Sequence, residues 1–316
     1  MNTETTTDPA DTTPSGILLG RFTPGTAAWD EARAGLTITA TEIAAVVGLS
    51  PWQSRFSLWH KKSGLPTPPF EMNPAVEWGN RLEDAVATKF ADDHPDLIPC
   101  PTGTWRHRDR AWQVATPDRL LHPAPLNVLT PTEPTAIFEA KTSPFGDDWG
   151  PAGSDEFPVH YRCQILWQQD TTGLTAPAHL AVLIGGWDYR EYVVEYDATE
   201  ATLLRSAAEG FLVEVRDGIR PPIDGADATY QTIRVQPDGL DDVDVEVPLE
   251  DAARYEIAQQ QMATVKTELT AAKGVLLDHI GTGKRAVVGN RRIAYRTVHD
   301  GKTHSLNPYT SKDTAA

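Results

Sequence analysis

Thr135-Ala136-Ile137-Phe138-Glu139-Ala140-Lys141 is the stretch that decides how this chain is read. Its β-branched and aromatic content is that of a strand. Side chains alternate faces along a strand. Phe138 and Ala140 therefore share one face and suit a core, while Glu139 and Lys141 share the other and converge on whatever lies opposite. Upstream, Trp112-Gln113-Val114-Ala115 alternates in the same way and runs into Thr116-Pro117-Asp118. Adjacent antiparallel strands lie ~5 Å apart, so Asp118, placed at the end of that strand, reaches the point faced by Glu139. Taken alone, the triplet also fits an ordinary surface Glu–Lys pair on a strand. As a constellation, two carboxylates and the Ala140 carbonyl make a set of hard oxygen ligands suited to Mg2+ or Mn2+, one or two ions. Such a cation activates water and neutralises charge developing on a phosphate. Lys141 then positions that water or stabilises the reacting phosphorus.

Outward from this stretch, the pattern alternates between helix and strand. A capping-box spacing, Thr39 to Glu42, opens a short helix that Gly48 ends. Phe56 to Trp59 forms a second. Pro74 begins a longer helix running to about His94, with Val76, Leu82, Val86 and Phe90 as its apolar stripe. Glu83 stands seven residues from both Val76 and Phe90, nearly two turns each way, and so projects from the stripe. A carboxylate there is costly unless bound; it either snorkels at the margin or meets a partner. Downstream come a Pro-rich loop from Pro123 to Pro134, a helix from Val159 to Asp170, strands at 178–184 and 191–196, and a helix from Thr199 to Asp217. This order indicates an α/β (α+β) class with a central mixed sheet flanked by helices. Residues 1–20 are expected to be a disordered tail and 21–225 the main domain. Residues 226–316 are read as an acidic linker plus a helix and a β-hairpin turning at Gly289-Asn290.

Composition narrows the function. The chain has 316 residues and a formal charge of −16. Phosphate binding rewards a basic surface, so any contact with nucleic acid has to be local. Lys61, Lys62, Arg106, His107, Arg108 and Arg110 are candidate phosphate contacts. The acid is uneven: Asp238, Asp241, Asp242, Asp244, Glu246, Glu250 and Asp251 fall close together. The two cysteines, Cys100 and Cys163, form no C-x-x-C pair, and the nine histidines show no ligand spacing. No apolar run spans a bilayer and Met1 to Ser15 has no signal-peptide pattern, so a cytoplasmic protein without membrane contact is expected. Trp59, Trp78, Trp105, Trp112 and Trp187 read as core or rim packing. Trp52 is the candidate DNA-end wedge.

Five blocks, in order, resemble the YqaJ-like viral recombinase (lambda exonuclease) family of the PD-(D/E)xK nuclease superfamily. They are Trp29…Arg33-x-Gly35 followed by Ile38-Thr39-Ala40-Thr41-Glu42; Glu77-Trp78-Gly79-Asn80-Arg81-Leu82-Glu83; Thr116-Pro117-Asp118; Glu139-Ala140-Lys141; and Tyr161-Arg162-Cys163-Gln164-Ile165. Thr41 stands where the family usually has Ser, and the Gly35–Ile38 spacing is longer by one residue. The resemblance implies a restriction-endonuclease-like core. It implies that Asp118, Glu139 and the Ala140 carbonyl bind metal, that Lys141 assists catalysis, that Glu83 is a ligand or orienter, and that Gln164 reaches the site with Tyr161 beside it. It further implies that Arg33 grips the 5′-phosphate of a DNA end with Thr41 nearby. The activity implied is a Mg2+-dependent 5′-to-3′ exonuclease acting on double-stranded DNA ends in phage-type recombination. Its expected partners are further copies of itself, in a trimeric ring, and a single-strand annealing protein, all in the host cytoplasm. Rival readings are an endonuclease or RecB-like nuclease, and a non-catalytic DNA-end-binding module.

Overall fold

The structure is a computed structural model that describes residues 13–23, 25–69, 71–125, 132–235, 239 and 241–309. The chain divides into two compact units, Met1–Gly239 and Leu240–Ala316. The first contains β1 (Gly16–Gly20), α1 (Ala27–Ala32), β2 (Ile38–Thr39), α2 (Ile43–Val46), α3 (Arg55–Lys62), α4 (Pro74–Asp93), β3 (Leu97–Pro101), β4 (Thr104–His107), β5 (Gln113–Ala115), β6 (Arg119–Pro123), β7 (Ala136–Ser143), α5 (Val159–Thr172), β8 (Ala178–Ile184), β9 (Asp188–Val194), α6 (Ala198–Asp217) and α7 (Asp227–Arg234). The second contains α8 (Leu249–Ile280), β10 (Arg285–Val288), β11 (Arg291–His299) and β12 (Lys302–Pro308).

The main sheet has the order β3-β6-β7-β8-β9. β7 and β8 are parallel and every other neighbour is antiparallel, so the sheet is mixed, as expected. A parallel pair needs a crossover, and α5 supplies it. α5 covers one face, where Ile165 packs with Ile137, Leu180 and Val182. α4 covers the other, where Val86, Ala87 and Phe90 pack with Phe138, Ala140 and Ala181. The period of two along β7 is thus used on both sides. A second sheet, β1-β4-β5-β2, is tied to α5 by the Trp167 indole, which donates to the carbonyls of Ile38 (3.2 Å) and Val114 (3.1 Å). α4 begins where its sequence directs: the Asn73 side chain accepts from the Val76 amide, and Pro74 occupies the first turn.

Several expectations are corrected. Gly16–Gly20, placed in a tail, is strand β1, because β4 offers it an antiparallel partner; residues 1–12 lie outside those described. The first unit runs past 225, since α7 packs on α3 and Thr229 Oγ1 donates to Ser54 Oγ, 2.6 Å away, in a buried contact. The short helix expected after Thr39 forms, but it starts at Ile43 with Glu42 as N-cap. Thr39 closes β2, and only half the capping box forms: Glu42 Oε2 accepts from the Thr39 amide at 3.1 Å. Trp59 and Trp105 are buried, but Trp78 and Trp187 are exposed. Trp78 lies on the outer side of α4 and Trp187 in the β8–β9 turn. In the second unit, 241–248 are exposed and carry no helix or strand. β12 extends the expected hairpin to three strands. Among the described residues, no helix is long and apolar enough to cross a membrane.

Candidate active site

Asp118 reaches Glu139 by a route different from the one the sequence suggested. It does not end β5; it stands at the head of β6. Antiparallel pairing of Arg119 with Phe138 sets it beside Glu139 and Ala140. Asp118 Oδ2 accepts from the Ala140 amide at 2.8 Å. Glu139 points to the α5 face and is 1% exposed. Buried charge requires partners, and α5 provides them from one stripe. Gln164 Nε2 and Lys141 Nζ both donate to Oε1, and Gln168 Nε2 donates to Oε2 at 2.9 Å. Gln164 and Gln168 are four residues apart and so share a helix face. Tyr161, one turn earlier, holds its ring 5.3 Å from Lys141 Nζ.

Glu83 enters from α4. Arg119 Nη1 donates to its Oε1 at 2.6 Å and to the Asp118 carbonyl at 2.6 Å, while Nη2 of the same guanidinium donates to Asp84. The acid on the apolar stripe is therefore a bound one, and Arg119 fastens α4 to β6. Gly79, one turn before Glu83, faces Thr142: a Cβ there would lie 3.4 Å from Thr142 Oγ1. Gly79, Glu83, Asp118, Ala140, Lys141 and Gln164 line one cleft of about 670 Å³, together with Thr41, Trp52, His160 and Tyr161, and the buried Glu139 is bonded to Lys141 and Gln164 of that lining.

Charge in the cleft is crowded. Burial, and then the Glu139 carboxylate, push the Asp118 carboxyl up to about 8, against the pull of Lys141. Burial alone would lower the Lys141 ammonium, but Glu139 and Asp118 outweigh it and hold the group above its ordinary value. Burial and the nearby Lys141 lower His160 to about 4. Burial raises Tyr161. The donor set fits a hard divalent cation: two carboxylates beside a backbone carbonyl, with repulsion that a cation would relieve. Glu139 Oε1 already accepts from two donors and Oε2 from one, so the carboxylate is fixed in place where it would help hold a cation.

At the cleft rim, Arg33 Nη2 donates to Thr41 Oγ1 at 3.2 Å and its guanidinium lies 3.8 Å over the Trp29 ring. Burial lowers the Arg33 pKa. Trp52 is 66% exposed and meets the His160 ring edge-on at 4.7 Å. Sequence reasoning missed three residues. Gln168 lay one turn beyond the Tyr161–Gln164 block. Arg119 adjoined Asp118. His160 precedes Tyr161, and its Nε2 is buried with no hydrogen-bond partner among the described residues. The candidate phosphate contacts Lys61 and Lys62 are bound to Glu42 at 3.1 and 2.9 Å. Arg110 is bound to Asp170 at 3.0 Å.

Comparison with known proteins agrees with the motifs. Protein YqaJ of Bacillus subtilis (strain 168), described as uncharacterized, is 22% identical over 272 residues, 83% of this chain and 80% of that protein. Crystal structures of the alkaline exonuclease LHK-Exo from Laribacter hongkongensis, alone and with dAMP, cover 61% of this chain and 94% of their own. Their TM-score is 0.46 at 19% identity. The resemblance carried by the five blocks is borne out by a direct family match: residues 28–175 match the model described as the YqaJ-like viral recombinase domain.

Proposed function

We propose that this chain is a Mg2+-dependent (or Mn2+-dependent) exonuclease that degrades one strand of double-stranded DNA from its 5′ end. It leaves a 3′ single strand for an annealing protein in phage-type recombination, in the cytoplasm of the bacterial host. The observation that carries the reading is the meeting of Asp118, Glu139 and Lys141 around Ala140: Asp118 and Lys141 line the cleft, Asp118 accepts from the Ala140 amide, and the buried Glu139 accepts from Lys141. Asp118, Glu139 and the Ala140 carbonyl would hold one or two cations, which supply water activation and charge neutralisation at the scissile phosphate. Lys141, kept protonated by the two acids, is placed to orient the attacking water and to stabilise charge on the phosphoryl oxygens. Gln164 and Gln168 fix the Glu139 carboxylate, and Arg119 fixes Glu83 behind it. Arg33, with Thr41, is placed to grip a terminal 5′-phosphate through a guanidinium fork, and Trp52 to meet the end base pair. A homo-oligomeric ring, a trimer on this reading, would reconcile a charge of −16 with DNA by turning the cleft inward.

The test is linear duplex DNA, with and without a 5′-phosphate, and closed circular DNA, each in Mg2+ or EDTA. Progressive loss of the phosphorylated linear duplex in Mg2+, with circles spared, is expected. Lys141→Ala should bind the same DNA and lose hydrolysis by ~100-fold or more, the scale of losing one electrostatic stabiliser. Cut circles would indicate an endonuclease. Binding without cutting would indicate an end-binding module. Hydrolysis near wild type in Lys141→Ala would sink the assignment.

A further inference from the structure

A second set of ligand-type side chains lies on the α4 face of the main sheet, about three turns along α4 from Glu83. His94 caps α4, its amide donating to the Phe90 carbonyl at 2.9 Å. His179 lies on β8 and Glu191 on β9. Ala181 is opposite Glu191 in the β8–β9 register, so His179 and Glu191 are diagonal neighbours on one face. The end of α4 brings His94 over that face. One ligand atom from each of the three lies within 4.8 Å of the other two, and His94 Nε2 is 2.7 Å from Glu191 Oε2.

The rings are held in place by packing. His94 stacks on Phe90 with centroids 4.3 Å apart, and His179 meets Phe90 edge-on at 5.1 Å. Glu191 is oriented from behind, its Oε1 accepting from the Tyr189 hydroxyl at 2.7 Å. A carboxylate held by a second hydrogen bond is the support that metal-ligating carboxylates carry. All three residues are half-buried, so an ion has access. Bonds of ~2.0–2.1 Å to a tetrahedral ion place ligand atoms roughly 3.4 Å apart. With one pair at 2.7 Å and all three atoms within 4.8 Å of one another, small side-chain rotations close the site.

We infer that His94, His179 and Glu191 form a Zn2+-type site, with the fourth position open to water, that clips the C-terminal end of α4 to β8 and β9. Two imidazoles and one carboxylate suit zinc, whereas the all-oxygen set at Asp118 suits Mg2+. The inference stands apart from the nuclease reading and survives if that reading fails.

The test uses the full chain carrying Asp118→Asn and Glu139→Gln, which removes the acidic cleft as a competing site. Co2+ is titrated in and the visible absorption of four-coordinate cobalt is followed. One equivalent per chain, displaced by Zn2+, is expected. Equimolar Zn2+ should raise the thermal midpoint. His179→Ala and Glu191→Gln, added separately and checked for fold by circular dichroism, should each abolish the band and the thermal shift. A band that persists in a folded variant overturns the site. So does the absence of any band before these substitutions. Should both variants fail to fold, imidazole NMR of the unsubstituted protein decides. Zn2+ should shift the ring nitrogens of His94 and His179, and unshifted rings refute the inference.

Discussion

Replacing Asp118 by Asn should stabilise the metal-free protein near pH 8 while abolishing hydrolysis. The carboxyl is raised from its ordinary 3.8 to about 8, first by burial and then by Glu139. The sign follows from linkage. Between these two values the folded protein binds a proton that the unfolded chain has released, so stability falls as pH rises through this window. The amide of the Asp118→Asn variant carries no charge at any pH, yet its side-chain oxygen can still accept from the Ala140 amide. The full displacement corresponds to at most about 6 kcal/mol, at ~1.4 kcal/mol per tenfold change in proton affinity. Asp118 keeps partial access to cleft water and shares its environment with Glu139 and Lys141, so a gain of about 2 kcal/mol is the working figure. For a unit of this size that is roughly 4–8 °C in thermal midpoint. The assay is thermal unfolding of both proteins in EDTA at several pH values from about 5 to about 8. His160, lowered to about 4, gives a pH trend of opposite sign, but it is present in both proteins and cancels in the difference. The variant's advantage should grow towards pH 8. Adding Mg2+ should reverse it, because only the wild type binds the cation well. An advantage that is flat or shrinks with pH would refute the reasoning.

Arg33→Gln should lose ~10-fold or more in rate on 5′-phosphorylated ends, the scale of one charge-assisted hydrogen bond, and little on 5′-hydroxyl ends; equal losses on both would remove the phosphate role. Gln168→Leu leaves Glu139 Oε2 buried without its donor and should cost about 1–3 kcal/mol in urea unfolding; an unchanged midpoint would mean that Glu139 finds water there. Arg119→Ala unfastens α4 from β6, and because Glu83 and Asp84 keep access to water a loss of about 1–3 kcal/mol is expected, with Arg119→Lys recovering part of it. Full stability in Arg119→Ala would show the clamp to be unimportant.

How far the sequence could be read depended on how much each element carries alone. β7 was legible because eight residues of alternating pattern declare both a strand and a two-sided burial. α4 was legible because its cap, its Pro and its stripe agree. β6 was not, since its five residues follow Pro117, end on Pro123 and look like the approach to a loop. That omission put Asp118 at the end of β5 instead of the head of β6. β3 contains two prolines, Pro99 and Pro101, which a strand tolerates only at an edge, and the edge is where β3 lies. β1 reads as tail because its partner β4 is only four residues long. Glu139 and Lys141 could be paired from period alone. The donors to Glu139 from α5, and the Arg119 clamp on Glu83, could not, because they depend on how two helices sit against a sheet.

The same limit explains the charge. Read as a string, Lys61, Lys62 and Arg110 look available to phosphate, and the surplus of acid looks like repulsion. In the fold, Lys61 and Lys62 neutralise Glu42, and Arg110 and Arg205 both neutralise the buried Asp170. Arg162 binds Glu200. Arg33 differs: among the described residues no carboxylate lies within ion-pair distance of it. Its guanidinium is held instead by an aromatic ring and a threonine hydroxyl at the cleft rim. A cation restrained by neutral groups keeps its charge for a ligand. On the proposed reading, attraction for DNA then rests on few contacts concentrated at one cleft rather than on a basic face along the duplex. On that reading a duplex terminus, where one phosphate dianion would meet the Arg33 guanidinium, contributes more to binding than the interior of the duplex.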